Sequence, residues 1–159
     1  MKRKLIGILI SILIMAISGC ISTNGEYSVS NSKFQIPEGW SNLQGPGIGA
    51  NQNGFAYGDK QTIIMVIEQY TNESEFNSEY SSYSQFGSAY NVTTSTKTIN
   101  GTQIKVFKII HNTTPNLIST YYYFQKNGKY YSIYFDDTRN NKDQSIINTA
   151  IEKVFSTLN

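Results

Sequence analysis

One cysteine and one histidine bound the chemistry open to this 159-residue chain. Cys20 closes the stretch Ile14-Met15-Ala16-Ile17-Ser18-Gly19-Cys20, and His111 precedes Asn112-Thr113-Thr114-Pro115. A lone thiol cannot form an internal disulfide or a thiolate zinc cluster. His111 could serve as the base of a catalytic triad, which also needs a nucleophile and an orienting carboxylate. No local motif supplies them, and the abundant serines include no Gly-x-Ser-x-Gly elbow. The plain reading is a solvated histidine at a strand end.

The carboxylates offer two further chemistries. Asp136-Asp137, with Arg139 and Asp143 close behind, could hold calcium together with carbonyl oxygens, yet the spacing lacks the alternating ligands and glycine of an EF-hand loop. Turn formation and a negative charge near a following helix start explain the pair more simply. Glu68, Glu73, Glu75 and Glu79 could in principle supply a glycosidase pair. Glu73 and Glu75 fall in a first helical turn, where the macrodipole favours acids, and Glu68 is the one to watch for a raised pKa. We assign no catalytic residue, metal ligand or cofactor.

Aromatic residues are the densest feature. Tyr121, Tyr122, Tyr123, Phe124, Tyr130, Tyr131, Tyr134 and Phe135 share one predicted hairpin, and alternation sends them to both faces of a sheet. One set fills a core; the other meets a helix, solvent or a partner, and exposed tyrosines suit protein or carbohydrate recognition. Trp40 follows a Pro-x-Gly turn and is either a core-edge anchor or a ligand-stacking ring. Trp40, Tyr122 and Tyr131 are the candidate binding residues.

Cys20 has a different role. Met1-Lys2-Arg3-Lys4 is a basic n-region, Leu5 to Ile17 an apolar h-region, and Ser18-Gly19 the small residues of a secretory leader. The h-region is shorter than the roughly 20 residues of a spanning helix. Ile17-Ser18-Gly19-Cys20 resembles the bacterial and archaeal lipobox, in which the cysteine sulfur is lipidated and becomes the first mature residue. An uncleaved anchor helix from about Leu5 to Ile21 is the alternative. Either way the folded part lies outside the cytoplasmic membrane, on its outer face or at the cell surface.

Removing Lys2, Arg3 and Lys4 with the leader takes Lys+Arg from 13 to 10 against 11 Asp+Glu, a formal −1. No basic face remains to suggest nucleic acid. Charged residues are only 15% of the chain, and the surface is polar without being charged. Asn72, Asn91, Asn100 and Asn112 head Asn-x-Ser/Thr sequons at about the frequency chance predicts, which leaves glycosylation undecided.

These residues need a scaffold. Residues 21 to 32 are polar and aperiodic, which predicts a tether. Phe34 and Ile36 mark a short strand stopped by Pro37. Gly45, Pro46, Gly47, Gly49 and Gly54 predict a loop across 41–54, and Gly45-x-Gly47-x-Gly49 lacks the leading strand and following helix of a phosphate loop. Residues 61–70 read as a strand buried on both faces. Asn72-Glu73-Ser74-Glu75 resembles a capping box, and Phe76, Tyr80, Tyr83, Gly87 and Tyr90 predict one helix face. Strands follow over 91–99, 102–110, 117–125 and 129–135, with Asn100-Gly101 and Asn127-Gly128 turns predicting two hairpins. A C-terminal helix from about Lys142 carries Ile147, Ile151, Val154 and Phe155. The fold class is α+β, an antiparallel β-sheet covered by helices.

Phe34-x-Ile36-Pro37-x-Gly39-Trp40, the buried strand then helix, and Tyr-x-Phe, Asn-Gly, Tyr-x-Ile-x-Phe before a terminal amphipathic helix resemble the PsbP-like proteins. The resemblance covers about Phe34 to Leu158 and implies an α/β/α sandwich with no catalytic residues to carry over. Nothing points to photosynthesis.

The expected organisation is a signal peptide over 1–19, a lipidated cysteine and tether over 20–32, and a PsbP-like domain over 33–159. The expected function is a membrane-anchored lipoprotein with a noncatalytic binding or assembly domain, attached through lipid on Cys20 and open to a protein partner. A solute-capturing or transport-accessory lipoprotein with a small pocket near the glycine-rich loop and Trp40 is the alternative, and a secreted hydrolase using Glu68, His111 or Asp136 a third.

Overall fold

Two Asn-Gly turns organise the strands. Asn100 and Gly101 have φ of 49° and 79°, and Asn127 and Gly128 have φ of 51° and 74°. Positive φ at both central residues is the type I′ geometry whose twist matches antiparallel strands. In the computed structural model, which describes residues 25–43, 48–82, 90–112, 117–139, 142 and 144–159, the first turn joins β6 (Tyr90–Ile99) to β7 (Thr102–His111). The second joins β8 (Ile118–Lys126) to β9 (Lys129–Asp137).

Before them come β1 (Glu26–Val29), β2 (Ser32–Gln35), β3 (Trp40–Leu43), β4 (Gln52–Tyr57), β5 (Ile63–Tyr70) and helix α1 (Glu73–Ser82); α2 (Gln144–Thr157) follows β9. The described strands form one antiparallel sheet of order β3-β4-β5-β9-β8-β7-β6 and a separate β1-β2 hairpin. The chain is α+β, with α2 on one face of the sheet and α1 on the other.

The α2 face holds the larger core. Phe55, Ile63, Met65, Ile67, Ile133 and Phe135 lie fully buried beneath Ile147, Ala150, Ile151 and Val154 of α2. The other face has a smaller cluster of Tyr70, Phe76, Phe107 and Tyr123 under α1. Asn72 Oδ1 accepts the Glu75 N–H at 3.0 Å, and Glu75 Oε2 accepts the Thr71 N–H at 2.9 Å, so the capping box forms with its return bond one residue earlier.

Four expectations change. The folded region starts by β1 rather than at residue 33: Val29 is buried and Tyr27 meets Phe55 edge-on at 4.9 Å, because the hairpin closes the end of the main core. The glycine-rich stretch contains strand at both ends, β3 and β4. Gly54 is tolerated in β4 because Ile48 crosses it so closely that a Cβ there would lie 2.7 Å from Ile48 Cδ1. Gly45, Pro46 and Gly47 lie outside the described residues. Strand β5 alternates, with Ile63, Met65 and Ile67 buried on one face and Ile64, Val66 and Glu68 only half-buried on the other, which α1 fully covers only at Tyr70. Helix α1 is described over Glu73–Ser82, and Tyr90 opens β6 opposite His111 rather than extending the helix stripe. Tyr83 and Gly87 lie outside the described residues, as do Cys20 and the leader over 1–19.

Candidate functional site

Strand alternation assigns each side chain to a face, and register aligns them in rows. On the α1 face one row crosses the whole sheet: Leu43, Gly54, Val66, Tyr134, Tyr121, Phe107 and Thr94. Ile48 fills the gap above Gly54. Leu43, Ile48, Val66, Tyr134 and Tyr121 are all half-buried, and the two tyrosine rings stack 4.5 Å apart at 28°. The row is an apolar and aromatic strip left partly open beside α1.

Polar groups flank it. In the adjoining row Ser119 Oγ donates to Asp136 Oδ1 at 2.5 Å, and His111 Nε2 lies 3.0 Å from the same hydroxyl. Tyr134 donates its hydroxyl to Asp136 Oδ2. Burial pushes the Asp136 carboxyl above its ordinary value, while the bonds from Ser119 and Tyr134 and the nearby His111 oppose the rise. On the opposite flank Gln52 Nε2 donates to Glu68 Oε2 at 2.9 Å. Burial pushes the Glu68 carboxyl up to about 7; the Gln52 bond lowers it, and the charges of Glu79 and Glu75 raise it further.

The three residue types of a triad thus meet, but in the wrong order. A triad places histidine between serine and carboxylate, so that the hydroxyl proton passes to imidazole. Here Ser119 stands in the middle and its proton already points at Asp136; the hydroxyl belongs to a residue 3% exposed, which denies an electrophile access. The arrangement orders a polar edge and does not activate a nucleophile. No local motif marks this juxtaposition, although the Asn127-Gly128 turn predicts it: a two-residue turn pairs Ser119 with Asp136.

The residues singled out for binding sit elsewhere. Trp40, Tyr122 and Tyr131 are 7%, 3% and 1% exposed and belong to the α2-side core. Trp40 packs edge-on to Tyr57 and Phe135, and Tyr131 stacks on Phe124 with its hydroxyl 2.7 Å from Ser32 Oγ. Parity explains the placement, since Tyr122 and Tyr131 share the face of Ile133, whereas Tyr121 and Tyr134 take the other. The partly open aromatic pair is Tyr121 and Tyr134. Asp137 accepts the Arg139 N–H at 2.8 Å, the turn role expected of the Asp-Asp pair. Among the described residues no cluster of three metal-ligating side chains occurs, and no helix is long and apolar enough to cross a membrane.

Among solved structures the chain aligns with the solution structure of cyanobacterial PsbP (CyanoP) from Synechocystis sp. PCC 6803. The TM-score is 0.52 at 13% identity, over 92% of this chain and 98% of that one. The fold is PsbP-like. A crystal structure from Bacteroides thetaiotaomicron VPI-5482 aligns at a TM-score of 0.42 and 10% identity, over 80% of this chain and 44% of that chain. No family model matches the sequence, and no curated protein matches it. In this PsbP-like domain α1 covers one end of its sheet face and leaves the Val66 row partly open.

Proposed function

We propose that the chain is a prokaryotic lipoprotein whose leader, 1–19, is removed, whose Cys20 carries lipid, and whose PsbP-like domain binds a partner without catalysis at the outer face of the membrane. The basic, apolar and small-residue order ending in Ile17-Ser18-Gly19-Cys20 supports the anchor. The half-buried Val66-Tyr134-Tyr121 row supports the binding reading, because it is a contiguous aromatic strip with a polar rim, the composition of an interface centre. The buried, inverted Ser119 arrangement weighs against a hydrolase. Burial of Trp40 weighs against a solute pocket there. Intact mass of membrane-extracted protein tests the anchor: a chain starting at Cys20 plus lipid is expected, and an unmodified chain starting at Met1 contradicts it. Co-purification from detergent-solubilised membranes tests binding, with Val66→Glu losing a partner that the unaltered chain retains.

A further inference from the structure

The two faces of the sheet differ in charge. On the α1 face the carboxylates are Glu68, Glu73, Glu75, Glu79 and Asp136, and the one lysine that the described strands place there, Lys105, sits over the Tyr80 ring at 4.4 Å. Helix α1 contains no lysine or arginine. On the α2 face lie Lys97, Lys108, Lys126, Lys129 and Lys153 against the carboxylates Asp137 and Glu152; among the described residues Lys97 pairs with Glu152 there, and Lys33 with Glu26 in the β1-β2 hairpin. Glu68 and Asp136 bracket the open row from its two adjoining rows, and the hydrogen bonds they accept come from neutral amide and hydroxyl groups.

Partly desolvated carboxylates on either side of an apolar strip favour an occupant that brings positive charge and apolar surface together. The same charges distinguish among candidate occupants. A second copy docked face to face would set this acidic rim against itself across the two-fold axis. An anionic lipid surface would be repelled for the same reason. We infer that the Val66-Tyr134-Tyr121 row beside α1 is a docking site for a cationic polypeptide segment, one that lays aromatic or aliphatic side chains on the row and arginine or lysine against Glu68 and Asp136. This rests on the binding reading above and specifies its partner class. Electrostatic complementarity sets orientation and partner choice, while the stacked tyrosines supply the contact area.

The test uses the isotopically labelled full chain in neutral detergent, observed by NMR, with three amidated hexapeptides alternating Arg/Phe, Glu/Phe and Arg/Ser. The Arg/Phe peptide is expected to shift the resonances of Val66, Glu68 and Tyr134, and to bind at least about tenfold more tightly than either control. Raising salt should weaken it, Glu68→Gln should weaken it about two- to five-fold, and Val66→Glu should weaken it about tenfold or more. Equal affinity for the Glu/Phe peptide, or shifts confined to the α2 face, overturns the proposal. Concentration-dependent dimerisation abolished by Val66→Glu assigns the face to a second copy and also overturns it. If Val66→Glu loses the native partner while the three peptides bind alike, the charge class is wrong and the binding reading stands; a native partner retained by Val66→Glu removes both.

Discussion

Ser119 donates its hydroxyl proton to Asp136 across the β8–β9 pair at 2.5 Å, with His111 3.0 Å behind it. That direction of donation separates a structural polar edge from a catalytic triad, although the same three side-chain types are present. Burial raises the Asp136 carboxyl above its ordinary value, and the bonds it accepts from Ser119 and Tyr134 oppose that rise.

Ser119→Ala removes one donor from a buried carboxylate and should cost about 1–3 kcal/mol of stability. His111→Ala should cost less, since its partner Ser119 retains Asp136. Urea unfolding of the two variants checks the order. Treatment with a fluorophosphonate should leave Ser119 unlabelled, whereas stoichiometric labelling would restore the hydrolase reading.

Glu68 makes stability depend on pH. Its folded value of about 7 lies above the ordinary 4.5, so between those values the folded chain holds a proton the unfolded chain has lost. This contribution is complete below about pH 4.5 and disappears as pH rises through about 7. Between pH 5 and pH 8 the unaltered chain should lose about 1–2 kcal/mol more stability than Glu68→Gln, the full shift being discounted for a carboxylate partly open to solvent. Urea unfolding at the two pH values measures the difference, and equal losses would contradict the burial of Glu68.

The unequal cover of the two faces predicts unequal costs of truncation. Ile151, fully buried under the α2-side core, should lose about 2–5 kcal/mol as Ile151→Ala. Val66, half-buried on the open row, should lose under about 1.5 kcal/mol as Val66→Ala. Comparable costs would mean that the row is closed in solution.

Gly128 has φ of 74° in the β8–β9 turn, where a side chain strains the left-handed conformation. Gly128→Ala should destabilise by about 1–2 kcal/mol, lowering Tm by a few degrees. An unchanged Tm would count against the type I′ turn that sets the Ser119–Asp136 register.

Much of the central sheet was legible because Asn-Gly turns fix both the hairpin and its register. The pair at 127 and 128 places Tyr121 opposite Tyr134 and Ser119 opposite Asp136; the pair at 100 and 101 places Tyr90 opposite His111. The C-terminal helix was legible from its apolar stripe. What failed depended on long-range packing. Nothing local distinguishes the polar Glu26–Val29 stretch from a tether, since Val29 and Tyr27 gain their burial from residues such as Phe55. Tyr90 lies at helical spacing from Tyr80, yet its pairing with His111 assigns it to a strand. Parity was available for the tyrosines, but which parity faced α2 was not, so the binding candidates Tyr122 and Tyr131 fell on the buried side. The Ser119–Asp136 contact follows from the turn register, but no contiguous motif carries it, because the two residues are 17 apart in sequence.

Site-specific photo-crosslinking in native membranes tests whether the proposed docking row, the partly open Val66-Tyr134-Tyr121 strip beside α1, meets a partner. A photoreactive residue at Val66 is compared with one at exposed Glu152 on the α2 side. If the row docks a partner, position 66 gives one discrete adduct and position 152 none; an adduct from 152 with none from 66 overturns the proposal.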